Sequence, residues 1–197
     1  EFSPEEKQFL ALLAQQGGGV MEHARLIDHV HRETQLFFDL AVNLSSSLEV
    51  TAILHSMTAD LAKSLGVKGA SIRLLDETKL TLELVAAFGL SKKYLQKGPV
   101  SAQKSIAQAL KNGKPVIILN AATDRRVQYR DMNKEEGIVT ILAVPIKTKE
   151  KVIGVLRLYT KAVRHFTAEE VKLVTALAYL GGLAIQNASL YLMCQTE

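Results

Sequence analysis

Two neighbouring apolar segments in the second half of the chain constrain its fold most strongly. Val139–Lys147 and Val152–Thr160 are rich in β-branched residues and meet at the charged stretch KTKEK. This pattern predicts two strands paired around an exposed turn, and so short a connection requires an antiparallel pair. Pro145 cannot donate a hydrogen bond to a sheet, so we expect a bulge or a sheet edge there. Thr167 stands ahead of two glutamates and predicts the N-cap of a following helix.

The composition is typical of a globular protein. The 197 residues suffice for one domain of about 150 residues with extensions, and 48% of them are hydrophobic against 22% charged. The single cysteine, Cys194, permits neither an internal disulfide nor a thiolate metal cage. The longest weakly polar run, Leu173–Ile185, is shorter than the roughly 20 residues of a membrane helix, and no secretory leader is recognisable. We therefore expect a cytoplasmic protein with no membrane segment in this chain.

Neither the charges nor the histidines indicate nucleic acid, metal or catalysis. The formal charge of +4 comes from lysines spread along the chain, and tryptophan is absent, so no base-stacking surface is expected. The five histidines lack metal-binding spacing; His29 and His31, for example, point to different sides of a helix. The sequence has no Ser-His-Asp arrangement and no phosphate-binding glycine loop. We predict no metal site, no nucleic-acid partner and no enzymatic activity.

Glycines and apolar periodicity divide the chain into segments. Residues 1–20 are predicted to form a short helix and a glycine linker, because Gly17–Gly19 cannot continue a helix. Residues 21–48 are predicted to form a signalling or dimerisation helix. The main domain is assigned to residues 49–187, and its last helix is expected to run on through residues 188–197.

Two of the predicted helices have apolar residues at alternating steps of three and four, the spacing of a coiled-coil seam. One interpretation is that each seam packs on the sheet of its own domain. The other is that the seams of two copies form a two-helix or four-helix dimer interface, which we favour because the pattern persists for about three heptads. The candidate interface residues are Ile27, Val30, Phe37, Ala41, Leu44, Ala178, Gly181, Ile185 and Leu192.

Between the long helices the sequence alternates between short strands and short helices. Strands are predicted at 69–76, 80–88 and 116–119, and helices at 49–65, 91–97, 105–111 and 132–136. The turn between the first two strands is too short for a crossover, so they must be antiparallel. The predicted class is α+β rather than a doubly wound parallel sheet.

An ordered series of short motifs runs through this region. It includes SIRLLD at 71–76, KGPV at 97–100, GKPV at 113–116, VPI at 144–146, VIGVL at 152–156 and FTAEE at 166–170. Together these motifs make residues 37–192 resemble the GAF domain, a PAS-like sensory module of signalling proteins. The resemblance implies a central antiparallel sheet of five or six strands with the terminal helices on one face. On the other face the segment 89–137, called the roof below, would cover a cavity for a small molecule.

The resemblance also limits the ligand. GAF domains that bind bilins attach them through a cysteine, and no cysteine lies between positions 37 and 193. Those that bind cyclic nucleotides have Asn-Lys and Phe-x-x-x-Asp-Glu motifs, whereas this chain has Thr160-Lys161 and, at 166–170, FTAEE. Members that reduce free methionine sulfoxide need several cysteines, because one thiolate attacks and another resolves. We therefore exclude a covalent bilin, argue against a cyclic nucleotide and leave the ligand unidentified.

The candidate cavity lining combines apolar positions with the polar stretch DRRVQYRD. Arg126, Gln128 and Tyr129 would direct hydrogen-bond donors at a ligand. Alternatively, Asp124 caps a turn and Arg126 ties the loop to Glu136, and we favour this interpretation for those two residues. The candidate lining residues are Phe88, Leu95, Ile106, Ile118, Arg126, Gln128, Tyr129, Ile141 and Ala143.

Two arginines interrupt apolar strands, where an unpaired charge is costly. Arg73 and Arg157 face either the cavity, where they would anchor a ligand, or the terminal helices, where they would bond to glutamates or carbonyl groups. We favour the helix face, because the residues that flank each arginine are bulkier apolar ones.

These observations predict a non-catalytic sensory domain. A small molecule, of anionic character if the arginines reach it, would bind under the roof, and the terminal helices of a homodimer would relay the signal to an output domain or partner protein. The alternative is a ligand-free scaffold that acts only in dimerisation or protein interaction. A cavity of several hundred cubic ångströms would favour the sensor, and a packed interior would favour the scaffold.

Overall fold

The structure, a computed structural model, describes residues 48–76, 78–103, 107–148 and 151–195. Its elements are α1 (Leu48–Ser64), β1 (Gly69–Asp76), β2 (Thr81–Phe88), α2 (Lys92–Leu95), α3 (Ala107–Asn112), β3 (Val116–Ile118), α4 (Arg130–Glu136), β4 (Thr140–Lys147), β5 (Val152–Thr160) and α5 (Ala168–Gln195). The predicted strands and helices of this region are confirmed, with small differences at their ends. The predictions for the helix and linker at 1–20, and for the helix at 21–48 up to residue 47, lie outside the described residues.

The strands form one antiparallel sheet in the order β2-β1-β5-β4-β3. The predicted α+β class and the antiparallel sheet are therefore confirmed. β1 and β5 lie at the centre, where Gly69–Leu74 pairs with Gly154–Tyr159. β3 pairs with β4 only up to Ala143, so Pro145 lies beyond that pairing, and the expected sheet edge at the proline is confirmed. The register shift in the β4–β5 ladder lies farther along, between Ile146 and Lys147.

Helices α1 and α5 pack together on one face of the sheet, as predicted. The alternate strand positions on this face are buried and apolar: Ile72, Leu74, Leu142, Val144, Leu156 and Leu158. Two glycines allow α5 to come close to its neighbours. A Cβ at Gly181 would lie 3.1 Å from Cε of Met57 in α1, and a Cβ at Gly182 would lie 2.4 Å from the carbonyl oxygen of Lys147 in β4.

This packing corrects part of the predicted dimer interface. Ala178 and Ile185 are fully buried within the domain, and Gly181 contacts α1, so the described part of the α5 seam is occupied by its own domain. Among the α5 side chains that the structure describes, the large apolar ones that remain exposed are Leu173, Tyr179 and Leu180. The Leu192 side chain and the candidates Ile27, Val30, Phe37, Ala41 and Leu44 lie outside the described residues.

The start of α5 is fixed by a reciprocal cap. Thr167 Oγ1 accepts a hydrogen bond from the Glu170 amide at 3.1 Å, and Glu170 Oε2 accepts one from the Thr167 amide at 2.9 Å. Arg164 pairs with Glu170 and also donates to the carbonyl oxygen of Leu65 at 2.6 Å. The predicted cap at Thr167 is confirmed, and Arg164 ties it to the end of α1.

The close approach of the two central strands makes Gly154 a sensitive position. A Cβ there would lie 2.3 Å from the carbonyl oxygen of Arg73, which belongs to rigid sheet backbone. We expect Gly154→Ala to lower the free energy of unfolding by about 1–3 kcal/mol, as measured by urea denaturation. Gly181→Ala is the control, because its Cβ would meet only the flexible end of Met57 and alanine favours the helix. Equal losses in the two variants would contradict this explanation.

Candidate functional site

The roof and the second face of the sheet enclose another buried core. The strands contribute Leu82, Ile118, Ile141, Ala143, Val155 and Tyr159, and the roof contributes Tyr94, Val100, Ala102, Ala109, Ala121 and Val127. Ile118, Ile141 and Ala143, which were predicted to line the cavity, thus lie on this face.

Both strand arginines lie on the roof side, so our preference for the helix face was wrong. Arg157 pairs across the sheet with Ala143 and with Ser71, and Arg73 pairs with Val155, all on the roof face. Arg73 is 5% exposed and Arg157 is 4% exposed. Arg73 Nη1 donates to the carbonyl oxygen of Leu82 at 2.9 Å. Its buried Nε has no hydrogen-bond partner among the described residues.

Two tyrosines and an asparagine surround the arginines with polar groups. The Tyr94 hydroxyl donates to Asn133 Oδ1 at 2.6 Å, and Asn133 Nδ2 donates to the carbonyl oxygen of Tyr129 at 2.9 Å. The rings of Tyr94 and Tyr159 pack edge to face, and their centres are 6.0 Å apart. The Tyr159 hydroxyl lies 2.9 Å from Ser71 Oγ. Burial raises the pKa of Tyr94, which therefore remains a hydrogen-bond donor at neutral pH.

Lys97 adds a third basic group to this site. Its Nζ lies 3.2 Å from the centre of the Tyr94 ring. Burial, followed by the charges of Arg157 and Arg73, lowers the pKa of the Lys97 amine from 10.5 to about 6, although Glu136 acts in the opposite direction. The ring face attracts a cation by about 0.5–2 kcal/mol, which offsets only part of the desolvation. Arg73, Lys97 and Arg157 are called the cationic cluster below.

A small cavity lies beside the cationic cluster. Its lining residues are Tyr94, Lys97, Val100, Val127, Gln128, Tyr129, Asn133, Ile141 and Arg157. The volume open to the centre of a water-sized sphere is about 10 Å³, which suffices for roughly one water molecule. A cavity this small is far below the several hundred cubic ångströms expected of a sensor, and it matches the packed interior expected of a scaffold.

Gln128 and Tyr129 line the cavity, but their donors hold the neighbouring loop. The Tyr129 hydroxyl and Gln128 Nε2 both donate to the carbonyl oxygen of Pro99, at 2.7 and 3.2 Å. Gln128 Oε1 accepts a hydrogen bond from the Ser101 amide at 2.8 Å. Gly98 precedes this loop with a φ of 91°, which favours glycine. The two side chains therefore latch the loop that follows Lys97.

Three other residues that were predicted to line the cavity are placed differently by the structure. Phe88 is 37% exposed and lies under Lys63 of α1, so it belongs to the helix face. In α2 the buried side chain is that of Tyr94, whereas Leu95 is only half-buried. Arg126 pairs with Asp124 at 2.6 Å instead of Glu136, and Asp124 also accepts a hydrogen bond from the Arg126 amide. The Ile106 side chain lies outside the described residues.

Sequence reasoning did not select Tyr94, Lys97 or Asn133 as site residues. The sequence signal for Lys97 was its position directly before Gly98-Pro99, a pair that predicts a sharp turn. The asparagine lies in α4 and gives no local signal, because its role depends on a tyrosine 39 residues away.

A larger surface hollow is less suited to ligand recognition. It offers about 540 Å³ between Gly66–Lys68 and Thr160–Arg164. Of its three basic residues, Lys68 pairs with Glu136 and Arg164 pairs with Glu170, so two already have carboxylate partners. Within the described ranges, no group of three metal-ligating side chains comes together and no helix is long and apolar enough to cross a membrane.

The pKa of Lys97 predicts a pH-dependent stability. Because the folded chain holds this proton less tightly than the unfolded chain, the free energy of unfolding should rise with pH between about 6 and 10.5, and the penalty should be complete below that window. Lys97→Met should remove this contribution, so the variant should gain stability over wild type most strongly at pH 6. The gain should shrink by at most about 1.4 kcal/mol per pH unit.

Urea denaturation at pH 6, 7.5 and 9 measures this effect. Lys93→Met is the control, because Lys93 is exposed and pairs with Glu135. A difference between Lys97→Met and wild type that stays constant with pH would contradict the assignment.

Comparison with known proteins shows the family. The fold matches the GAF domain/HD domain protein from Geobacter sulfurreducens with a TM-score of 0.64 and 16% identity, over 75% of this chain and 98% of that one. It matches the GAF domain from Acinetobacter phosphoenolpyruvate-protein phosphotransferase with a TM-score of 0.61 and 22% identity, over 80% and 94%. It also matches free methionine-R-sulfoxide reductase from Neisseria meningitidis in complex with its substrate, with a TM-score of 0.59 and 16% identity, over 78% and 89%.

At these identities the structural matches show the shared fold and nothing further. No curated protein matches the chain significantly. A family profile described as the GAF domain matches residues 47–186, which is most of the chain, and the chain therefore belongs to the GAF domain family.

Proposed function

We propose that this chain is a sensory and regulatory domain of a signalling protein, and that it binds a small molecule between the sheet and the roof. The observation that carries this proposal is the cationic cluster. Arg73 and Arg157 are almost completely buried, and Arg73 keeps one N–H group without a hydrogen-bond partner among the described residues. A buried donor of this kind is costly unless something binds to it.

Binding requires the roof to open, because the closed cavity holds about one water. Three hydrogen bonds latch the loop at Pro99 and Ser101 to Gln128 and Tyr129. At about 0.5–1.5 kcal/mol each, they hold the roof closed by roughly 2–4 kcal/mol. A ligand that binds only the open state can overcome a difference of that size, at the expense of some affinity.

The sheet connects the site to the terminal helices. Arg157 lies on the roof side of β5, and its neighbours Leu156 and Leu158 are buried on the side that α1 and α5 cover. A displacement of β5 on binding would therefore reach both helices. We propose that these helices pair in a homodimer through exposed Leu173 and Leu180 and pass the change to an output domain or partner protein.

We propose no catalytic role. The similarity to methionine-R-sulfoxide reductases concerns the fold. Reduction of a sulfoxide by cysteine needs an attacking thiolate and a resolving thiol, and Cys194 is the only cysteine in the sequence.

The small cavity favours a second candidate, a GAF scaffold that binds no ligand and acts through dimerisation. Native mass spectrometry of the purified 197-residue chain separates the two. The sensor predicts a dimer with extra mass that disappears on denaturation, or that appears after incubation with a small-molecule extract. A bare dimer under both conditions supports the scaffold, and a monomer at high concentration contradicts the relay in either form.

The dimer surface gives a further test. Leu180 is 56% exposed, and a glutamate there would place an unpaired charge in the proposed interface. We expect Leu180→Glu to weaken dimerisation by about tenfold or more in sedimentation velocity. Val163→Glu is the matched control, because Val163 is 61% exposed in the loop after β5. Equal dimerisation of the two variants would place the interface elsewhere.

A further inference from the structure

We propose that the cationic cluster recognises a compact anion with a carboxylate or phosphate group, and that the Lys97 amine takes up one proton from solvent when the anion binds. This inference rests on the proposed sensory function and names the ligand class and the pH dependence of that site.

The first argument is the imbalance of charge under the roof. Arg73, Arg157 and Lys97 come from two central strands and the loop after α2, and all three lie around Tyr94. None of the salt bridges between described residues includes Arg73 or Lys97. Glu83 acts on Arg73 and Glu136 acts on Lys97 only from beyond salt-bridge distance, so an anion in direct contact would supply a closer counter-charge. Carboxylate and phosphate oxygens match the N–H groups of arginine.

The second argument is size. Apolar Val100, Val127 and Ile141 form part of the cavity wall, and the closed cavity accepts about one water. The Tyr94–Asn133 hydrogen bond limits expansion on the α4 side. A large ligand would have to break that network, whereas a compact anion that enters when the roof opens would leave it intact.

The third argument is the weak attachment of Lys97 in the closed state. Its amine contacts the face of the Tyr94 ring, and no hydrogen bond or salt bridge between described residues holds it. Gly98, with its φ of 91°, and the latch at Pro99 follow immediately. The lysine can therefore reorient from the ring toward an anion without breaking a polar bond of its own.

Proton uptake follows from the groups that face Lys97. These are Arg73 on β1, Arg157 on β5, Tyr94 on α2 and Glu136 on α4. The arginines stay charged near neutral pH, and hydrogen bonds from Ser91 and Lys68 lower the pKa of Glu136 despite its partial burial. Burial lowers the pKa of Lys97 to about 6, so most of its amine is neutral above pH 7. An adjacent anion favours the charged amine, and the proton comes from the buffer.

Isothermal titration calorimetry of the 197-residue chain tests this proposal. Succinate and inorganic phosphate are the anionic probes, and the uncharged succinamide is the matched control ligand. Titration at pH 7.5 in two buffers of different ionisation enthalpy should give uptake of close to one proton per bound succinate. Between pH 7 and 8.5 the apparent Kd for succinate should rise by about tenfold per pH unit, because only the protonated amine binds. Tighter binding of either succinate or phosphate supports the proposal and shows whether the site prefers a carboxylate or a phosphate group.

Three variants isolate Lys97. Lys97→Met should weaken succinate binding by about tenfold or more and abolish proton uptake. Lys97→Arg should keep the binding but lose the uptake, because its guanidinium is already charged. Lys93→Met, in the neighbouring exposed position, should behave like wild type. Circular dichroism of each variant confirms that it is folded.

Several results would overturn the inference: no binding of either anion, equal binding of succinamide, binding by wild type without proton uptake, or wild-type behaviour of Lys97→Met. Native mass spectrometry tests the proposed sensory function separately from the anion inference. A bound neutral molecule there would preserve the sensory function while the anion inference fails.

Discussion

The structure depends on a central pair of strands that is covered on both faces. β1 and β5 each have a strand on either side, the terminal helices below and the roof above. Every side chain on these strands therefore has to be accommodated inside the protein. On the helix face this is simple, because Ile72, Leu156 and Leu158 pack into an apolar core. On the roof face the same strands present Arg73 and Arg157, and the polar groups of the roof surround these two arginines.

Buried guanidinium groups require polar surroundings. Arg73 uses the carbonyl oxygen of Leu82, and the nearby Tyr94, Asn133 and Tyr129 form a connected set of hydrogen bonds. Such a network is favourable only when its members are satisfied. The partnerless Nε of Arg73 shows that, among the described residues, this one is incomplete. The closed roof is therefore a compromise, held shut by a few hydrogen bonds over an interior that an apolar core would fill more stably.

The sequence was sufficient for the parts of the fold that depend on local signals. The β4–β5 hairpin, the Thr167 cap and the antiparallel α+β sheet follow from apolar alternation, short turns and capping chemistry. The face of Arg73 could not be predicted in this way. Alternation puts Arg73 on the face opposite Ile72 and Leu74, but it does not show which of the two faces the terminal helices cover. The prediction for the α5 seam met a related limit. A heptad pattern does not identify its partner, which here is the sheet together with α1 of the same domain.

The small volume of the closed cavity favours a ligand-free scaffold, whereas the basic residues in its walls favour a sensor. The basic residues discriminate better between the two functions. A side chain in the wall of a cavity can change the cavity volume by moving, and Lys97 lines this cavity with no hydrogen bond to another described residue. A scaffold needs only a packed interior, and an apolar residue at position 97 would pack without the desolvation that lowers the pKa of the lysine. On the proposal above, the same lysine next to two buried arginines would give the site an affinity for negative charge that a scaffold does not use. The basic residues under the roof therefore favour the proposed sensor over the scaffold, although the small cavity favours the scaffold.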